Sequence, residues 1–385
     1  MLGTTTPPRS AGLRTVAASA VVALACTLSA CSKSESDSSS SGTGGGSAAA
    51  AATSSAPAAS ASSSSSSGMT SGTGMAEAGC TIATTGYPKV DLKTAKVGFS
   101  QSEKEGNPFR IAETKSIRDE AAKLGIPKSN LLTTNAQSDL NKQISDIKSL
   151  LSQGVQLLIV APLNSDGLQP ALDAAKAKKV PVVTVDRKVT SKPCTDFLTF
   201  IGSNFVDQGK RAADAMIKET GGKGKVAILL GASGNNVTTD RTKGFKDQLA
   251  AQGQGLQIVA EQTGDFERAK GQSVMEQLIQ SHPDITAVYA ENDEMGVGAV
   301  NALRSAGKNP GKDVKIVSID GTHNAVQLLV DGKYNGVIES NPRFGPLAFQ
   351  TLQQFEGGKA VPPSIVITDD AYTPDNAKQK INNSY

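Results

Sequence analysis

Histidine and cysteine are scarce: the chain of 385 residues holds two histidines, His282 and His323, and four cysteines. A His/Cys metal centre is therefore poorly supplied, and no metal is expected. Neither histidine has a sequence-near Ser or Cys in a nucleophilic arrangement. Aromatic residues make up 4% of the chain. An excess of one charge is missing too, since 39 basic and 36 acidic residues leave a formal net charge of +3. Nucleic-acid binding, which needs a basic face, is not expected. An acidic tail and a polybasic membrane patch are likewise absent. No long apolar run follows the N-terminal region, so no other segment is expected to span a bilayer. G-x-x-x-x-G-K-[ST] and G-x-S-x-G do not occur. Gly221-Gly222-Lys223-Gly224-Lys225 precedes a strand and reads as a helix-to-strand turn. Gly231-Ala232-Ser233-Gly234 follows a strand but lacks the full G-x-G-x-x-G of a dinucleotide site. No cofactor and no catalysis are expected.

What is present starts with an address. Arg9 and Arg14 form a basic n-region, and residues 16–28 (VAASAVVALACTL) are apolar but short for a membrane span, as in a signal peptide. Leu28-Ser29-Ala30-Cys31 then resembles the bacterial lipobox. That resemblance implies a signal peptide over 1–30 and a lipid on Cys31, anchoring the exported protein to the outer face of the cytoplasmic membrane. An ordinary secretory signal with an incidental Cys is the alternative. Residues 31–79 are nearly all Ser, Gly, Ala and Thr, too little apolar surface to offset chain entropy. They read as a disordered tether with an r.m.s. span of about 35–42 Å, or as an O-glycosylated stalk. With Cys26 discarded and Cys31 lipidated, Cys80 and Cys194 remain. An oxidising exterior favours a disulfide between them; two free thiols are the alternative.

From residue 90 short apolar runs alternate with amphipathic stretches. Strands are expected at 96–100, 156–161, 180–186, 197–201, 225–230, 257–261, 287–290 and 314–319. Asn107-Pro108 supplies a cap and a first-turn proline for a helix that Gly125 stops. Other helical stretches include 241–251 and 269–281. Such βα alternation implies an α/β fold with parallel sheets covered on both faces. One sheet of that many strands is large, so two doubly wound Rossmann-like lobes are expected, with a break near Gly202-Ser203-Asn204.

Ligands of open parallel sheets bind at the carboxyl ends of the strands. Those ends are polar here: Ser100-Gln101 leading to Glu105 and Asn107, Asp186-Arg187, Glu291-Asn292-Asp293, Asp320-Gly321 and Glu339-Ser340-Asn341. A cap or turn explains any one of them, but not five together. Asp and Asn exchange hydrogen bonds with hydroxyls, Arg donates a planar fork, and aromatic rings offer a flat apolar face. A neutral polyol suits this set.

These motifs, in order, are Val97-Gly98-Phe99-Ser100-Gln101, Asn107-Pro108-Phe109-Arg110, Asp186-Arg187, Asp240-Arg241 before Gly244-Phe245, Gly264-Asp265-Phe266-Glu267-Arg268, Asn292-Asp293-Glu294-Met295 and Ser318-Ile319-Asp320-Gly321. The stretch carrying them resembles the sugar-binding proteins of ABC importers of the ribose and galactofuranose type. The resemblance implies lobes at 80–201 plus 341–366 and at 202–340 plus 367–385, joined by three crossover segments and closing on a monosaccharide. It implies Phe109 and Phe266 as faces for the sugar ring. Asp186 and Arg187 become hydroxyl partners in the first lobe, and Arg241, Asn292 and Asp320 in the second. Asn107 and Arg110 match variable first-lobe positions, and Arg110 and Tyr372-Thr373-Pro374-Asp375 look like the galactofuranose type. Ser340 stands where ribose binders carry an amide. The expected partners are an importer permease and the membrane through Cys31; a monomer is expected. Sensing through a membrane receptor, and a non-sugar polyol ligand, are the alternatives.

Overall fold

Runs that are apolar on every residue become strands buried on both faces, and they sit at the centre of their sheets. The computed structural model describes residues 79–385. The expected signal peptide, Cys31 and the tether up to residue 78 lie outside the described residues.

Two six-stranded sheets form. The first contains β1 (Val97–Gln101), β2 (Leu131–Asn135), β3 (Leu157–Val160), β4 (Val182–Val185), β5 (Thr199–Gly202) and, much later in the chain, β11 (Ser364–Val366). Its order is β11-β5-β4-β3-β1-β2, parallel throughout. The second contains β6 (Lys223–Leu230), β7 (Gly255–Thr263), β8 (Ala287–Ala290), β9 (Lys315–Asp320), β10 (Gly336–Glu339) and β12 (Ala371–Tyr372). Its order is β12-β10-β9-β8-β6-β7, and only β12 runs antiparallel.

Helices fill the connections. In the first lobe these are α1 (Ile82–Thr85), α2 (Pro108–Lys123), α3 (Leu140–Ser152), α4 (Gln169–Ala177) and α10 (Gly345–Glu356). The second has α5 (Phe205–Thr220), α6 (Asn236–Gln252), α7 (Arg268–Ser281), α8 (Asp293–Ser305), α9 (His323–Val330) and α11 (Ala377–Lys380). Asn107 caps α2 through its side chain, with Pro108 at the first position. Gly221, left-handed at φ 64°, ends α5, and β6 starts at Lys223, so the Gly-Lys run is a helix-to-strand turn. Helix α6 starts earlier than the expected 241, because the Asn235 side chain accepts from Thr238 N–H and caps it there. Arg241 thus lies inside the helix, on its buried side.

The chain changes sheet three times: between β5 and α5, between β10 and α10, and between β11 and β12. Cys80 and Cys194 form a disulfide with Cα atoms 5.2 Å apart. Cys80 also exchanges both backbone hydrogen bonds with Val361, each 2.9 Å. These ties bind the start of the described chain to the first lobe alone.

Candidate ligand-binding site

One cavity lies at the carboxyl ends of both sheets. It is lined by Glu103, Asn107, Phe109, Arg110, Asp186 and Arg187 from the first lobe and Val237, Arg241, Phe266, Asn292 and Asp320 from the second.

On the first-lobe side the charges form a closed network. Arg110 Nη1 donates to Asp186 Oδ2 at 2.7 Å and to Glu113 Oε2 at 2.9 Å, and its Nε donates to Glu103 Oε2 at 3.1 Å. Arg187 Nη2 donates to Glu103 Oε1 at 2.5 Å, and Nη1 to the Leu163 carbonyl at 2.7 Å. Burial pushes the Glu103 carboxyl up, but Arg187 and Arg110 more than offset it and hold it down at about 2. Glu113, deeper and with the like charge of Asp186 nearby, is pushed up to about 7 by burial against the pull of Arg110. Arg187 Nε is buried with no hydrogen-bond partner, its ion-pair contact with Asp186 Oδ2 being long at 3.7 Å. A buried donor left open in this way is costly unless a ligand acceptor meets it.

On the second-lobe side Arg241 is oriented from three directions. Its Nε donates to Gln208 Oε1 at 3.0 Å and its Nη1 to the Glu291 carbonyl at 2.5 Å, while Nη2 lies 3.5 Å from Asp320 Oδ1. Burial raises the Asp320 carboxyl well above its ordinary range despite Arg241. Asn292 is spent on scaffolding: it accepts from Met295 N–H to cap α8 and donates to the Phe266 carbonyl at 3.1 Å. The Phe266 ring lies where a Cβ on Gly231 would meet it at 2.0 Å, so only glycine fits at 231. Asp186 (φ 66°), Phe266 (φ 63°) and Asp320 (φ 144°) all have left-handed backbones. Each costs on the order of 1–3 kcal/mol, as is common where side chains are aimed at a ligand.

The two halves are drawn together beside the cavity. Ser165 N–H donates to the Gly234 carbonyl at 3.0 Å, Asn236 N–H to Ser165 Oγ at 3.0 Å, and Lys188 N–H to Asn236 Oδ1 at 2.8 Å. The Arg187 guanidinium sits 5.8 Å over the Phe266 ring.

Nine of the ten positions proposed from sequence line this cavity; Ser340 does not. Ser340 continues the ladder past β10, donating its N–H to the Asp320 carbonyl at 2.8 Å, and its own carbonyl accepts from the Tyr385 hydroxyl at 3.2 Å. Glu103 and Val237 line the cavity unforeseen. The acidic residue after β1 that matters is Glu103, whereas Glu105 is exposed and reaches Arg118 at 4.0 Å. Two glutamates in Ser102-Glu103-Lys104-Glu105 gave no way to choose between them.

The family described as periplasmic binding protein domain matches residues 97–360. The galactofuranose-binding protein YtfQ of Escherichia coli is 34% identical over 290 residues, 74% of this chain and 90% of its own length. The ribose import binding protein RbsB of Bacillus subtilis is 38% identical over 261 residues, 67% of this chain and 81% of its own. The binding protein of the arabinose ABC transporter from Shewanella sp. ANA-3, solved with α- and β-L-arabinofuranose, superposes with a TM-score of 0.71. It is 34% identical and covers 74% of this chain and 94% of its own.

Proposed function

Because this chain belongs to the periplasmic binding protein family, we propose that it is an exported binding protein that captures a monosaccharide between its lobes. It passes the sugar unchanged to an ABC importer. The observation that carries the reading is one cavity where nine expected polar and aromatic positions meet, with the buried Arg187 Nε lacking a hydrogen-bond partner, 3.7 Å from Asp186 Oδ2. Ligands named for similar proteins include galactofuranose, ribose, arabinofuranose, fructose, xylitol and myo-inositol. Two of these are five-membered rings, and we take a furanose as the ligand class. The lobe limits are those drawn from the sequence, 80–201 plus 341–366 and 202–340 plus 367–385. We further propose lipidation at Cys31, attachment to the outer face of the cytoplasmic membrane, and action as a monomer.

Each lobe supplies part of the polar wall, so a sugar gains its full set of bonds only with the lobes together. It stabilises the closed state by its differential affinity for that state. A thermal-shift screen of D-galactose, L-arabinose, D-ribose, D-fucose, xylitol and myo-inositol tests the reading. A ligand at a hundred times its Kd stabilises by about 2.7 kcal/mol. At least one sugar is expected to raise the melting temperature, and Arg241→Ala should weaken its binding roughly tenfold or more by calorimetry with folding intact. A response to the polyols alone redirects the ligand class; no response at all overturns the reading.

A further inference from the structure

Behind the cavity wall, Tyr385 is hydrogen-bonded within the second lobe and packs its ring against the first. Its backbone N–H donates to the Gly321 carbonyl at 3.3 Å, and its backbone oxygen accepts from His323 N–H at 2.7 Å. Gly321 directly follows the cavity residue Asp320. The phenol hydroxyl donates to the Ser340 carbonyl at 3.2 Å, where the chain begins its second crossover. The ring meets Phe109 edge-on, with centroids 6.2 Å apart at 75°. The guanidinium of Arg343 lies 5.6 Å over the same ring. Phe109 lines the cavity, and its other aromatic neighbour is Phe344 at 6.4 Å. One residue therefore joins a second-lobe strand end through its backbone, and a crossover and the first-lobe aromatic wall through its side chain.

We propose that Tyr385 is a positioning residue for the sugar site. Phe χ2 is a soft torsion, so the face that Phe109 shows to the cavity depends on what meets its edge. The Tyr385 ring supplies that edge. Its hydroxyl holds the Ser340 carbonyl, and so the start of the crossover, in the geometry at which the lobes meet. Affinity and selectivity among sugars should thus respond to a residue outside the cavity lining.

The inference rests on the sugar-binding reading, and Arg241→Ala tests that reading separately. The probes are D-galactose, L-arabinose, D-ribose and D-fucose, titrated by calorimetry. Tyr385→Ala should weaken the tightest of these roughly tenfold and change the ranking of the four, while Tyr385→Phe, which keeps the ring, should lose about threefold or less. The losses of Phe109→Leu and Tyr385→Ala should be non-additive in the double variant, as expected of residues in contact. Wild-type affinity and ranking in a folded Tyr385→Ala protein overturn the proposal, and so do additive losses. If Tyr385→Ala does not fold, Tyr385→Trp decides, because the chain contains no other tryptophan. Its emission should shift saturably at the calorimetric Kd; constant emission through a titration that binds overturns the proposal. Wild-type affinity in Arg241→Ala would instead unseat the site itself, as would no response of the unaltered protein to the four sugars, xylitol or myo-inositol.

Discussion

At Glu113 the molecule holds a carboxyl that ordinary residues keep in water. Burial raises it to about 7, although Arg110, shared with Asp186, and the Gln101 amide, which donates to it at 2.9 Å, support its charge. Glu291 is likewise raised to about 7 by burial, in spite of Gly231 N–H and the Thr242 hydroxyl. For a carboxyl raised in the fold, the native state holds the proton that the unfolded chain has lost. Stability from these groups is therefore fully present below about 4.5 and falls as pH rises toward 7. Glu103, held at about 2, acts oppositely: its contribution is present above about 4.5 and is lost toward pH 2. The ligand-free melting temperature should peak near pH 4–5 and decline toward pH 7. Glu113→Gln mimics the protonated group, so its decline over that interval should be shallower by a few degrees. A decline identical to that of the parent protein in thermal melts would refute this account of Glu113.

Elements place these residues, and some close contacts depend on glycine. Helices α5 and α6 approach so closely that a Cβ on Gly244 would lie 2.0 Å from the Val206 carbonyl, and one on Gly209 2.2 Å from the Arg241 carbonyl. This contact lets Gln208 on α5 hold Arg241 on α6. Gly244→Ala should force the helices apart, costing about 1–3 kcal/mol of stability. Sugar affinity should fall with it, as Arg241 moves away from Asp320; calorimetric melting and titration read both. Most elements were legible because their signals are strong. The runs LLIV and VVTV admit few readings, and Asn107-Pro108 marks a helix start by both capping and ring geometry. The edge strand β2 was not: LLTTN is only half-buried, so its two leucines carry no alternation. The three-residue β11 and two-residue β12 are too short for any period, and pairing alone makes them strands. In the site, Asp186, Arg187 and Asp320 stood out because each ends an apolar run. Glu103 and Tyr385 matter through partners distant in sequence, which no local pattern records.

In the whole molecule, the Cys80–Cys194 bond spans 114 residues yet stays within one lobe. A constraint of that span stabilises by about 2–5 kcal/mol. Replacing both cysteines by serine should lower the melting temperature by roughly 5–15 °C while leaving sugar affinity within about twofold. Affinity that falls along with stability would show that the bond also shapes the cavity. The same tie governs how load enters the molecule. A pull arriving through the residues before Gly79 reaches Cys80 first and is passed to Cys194 and Val361, both in the first lobe. The three crossovers lie outside that load path, so force applied at Gly79 does no work on lobe opening.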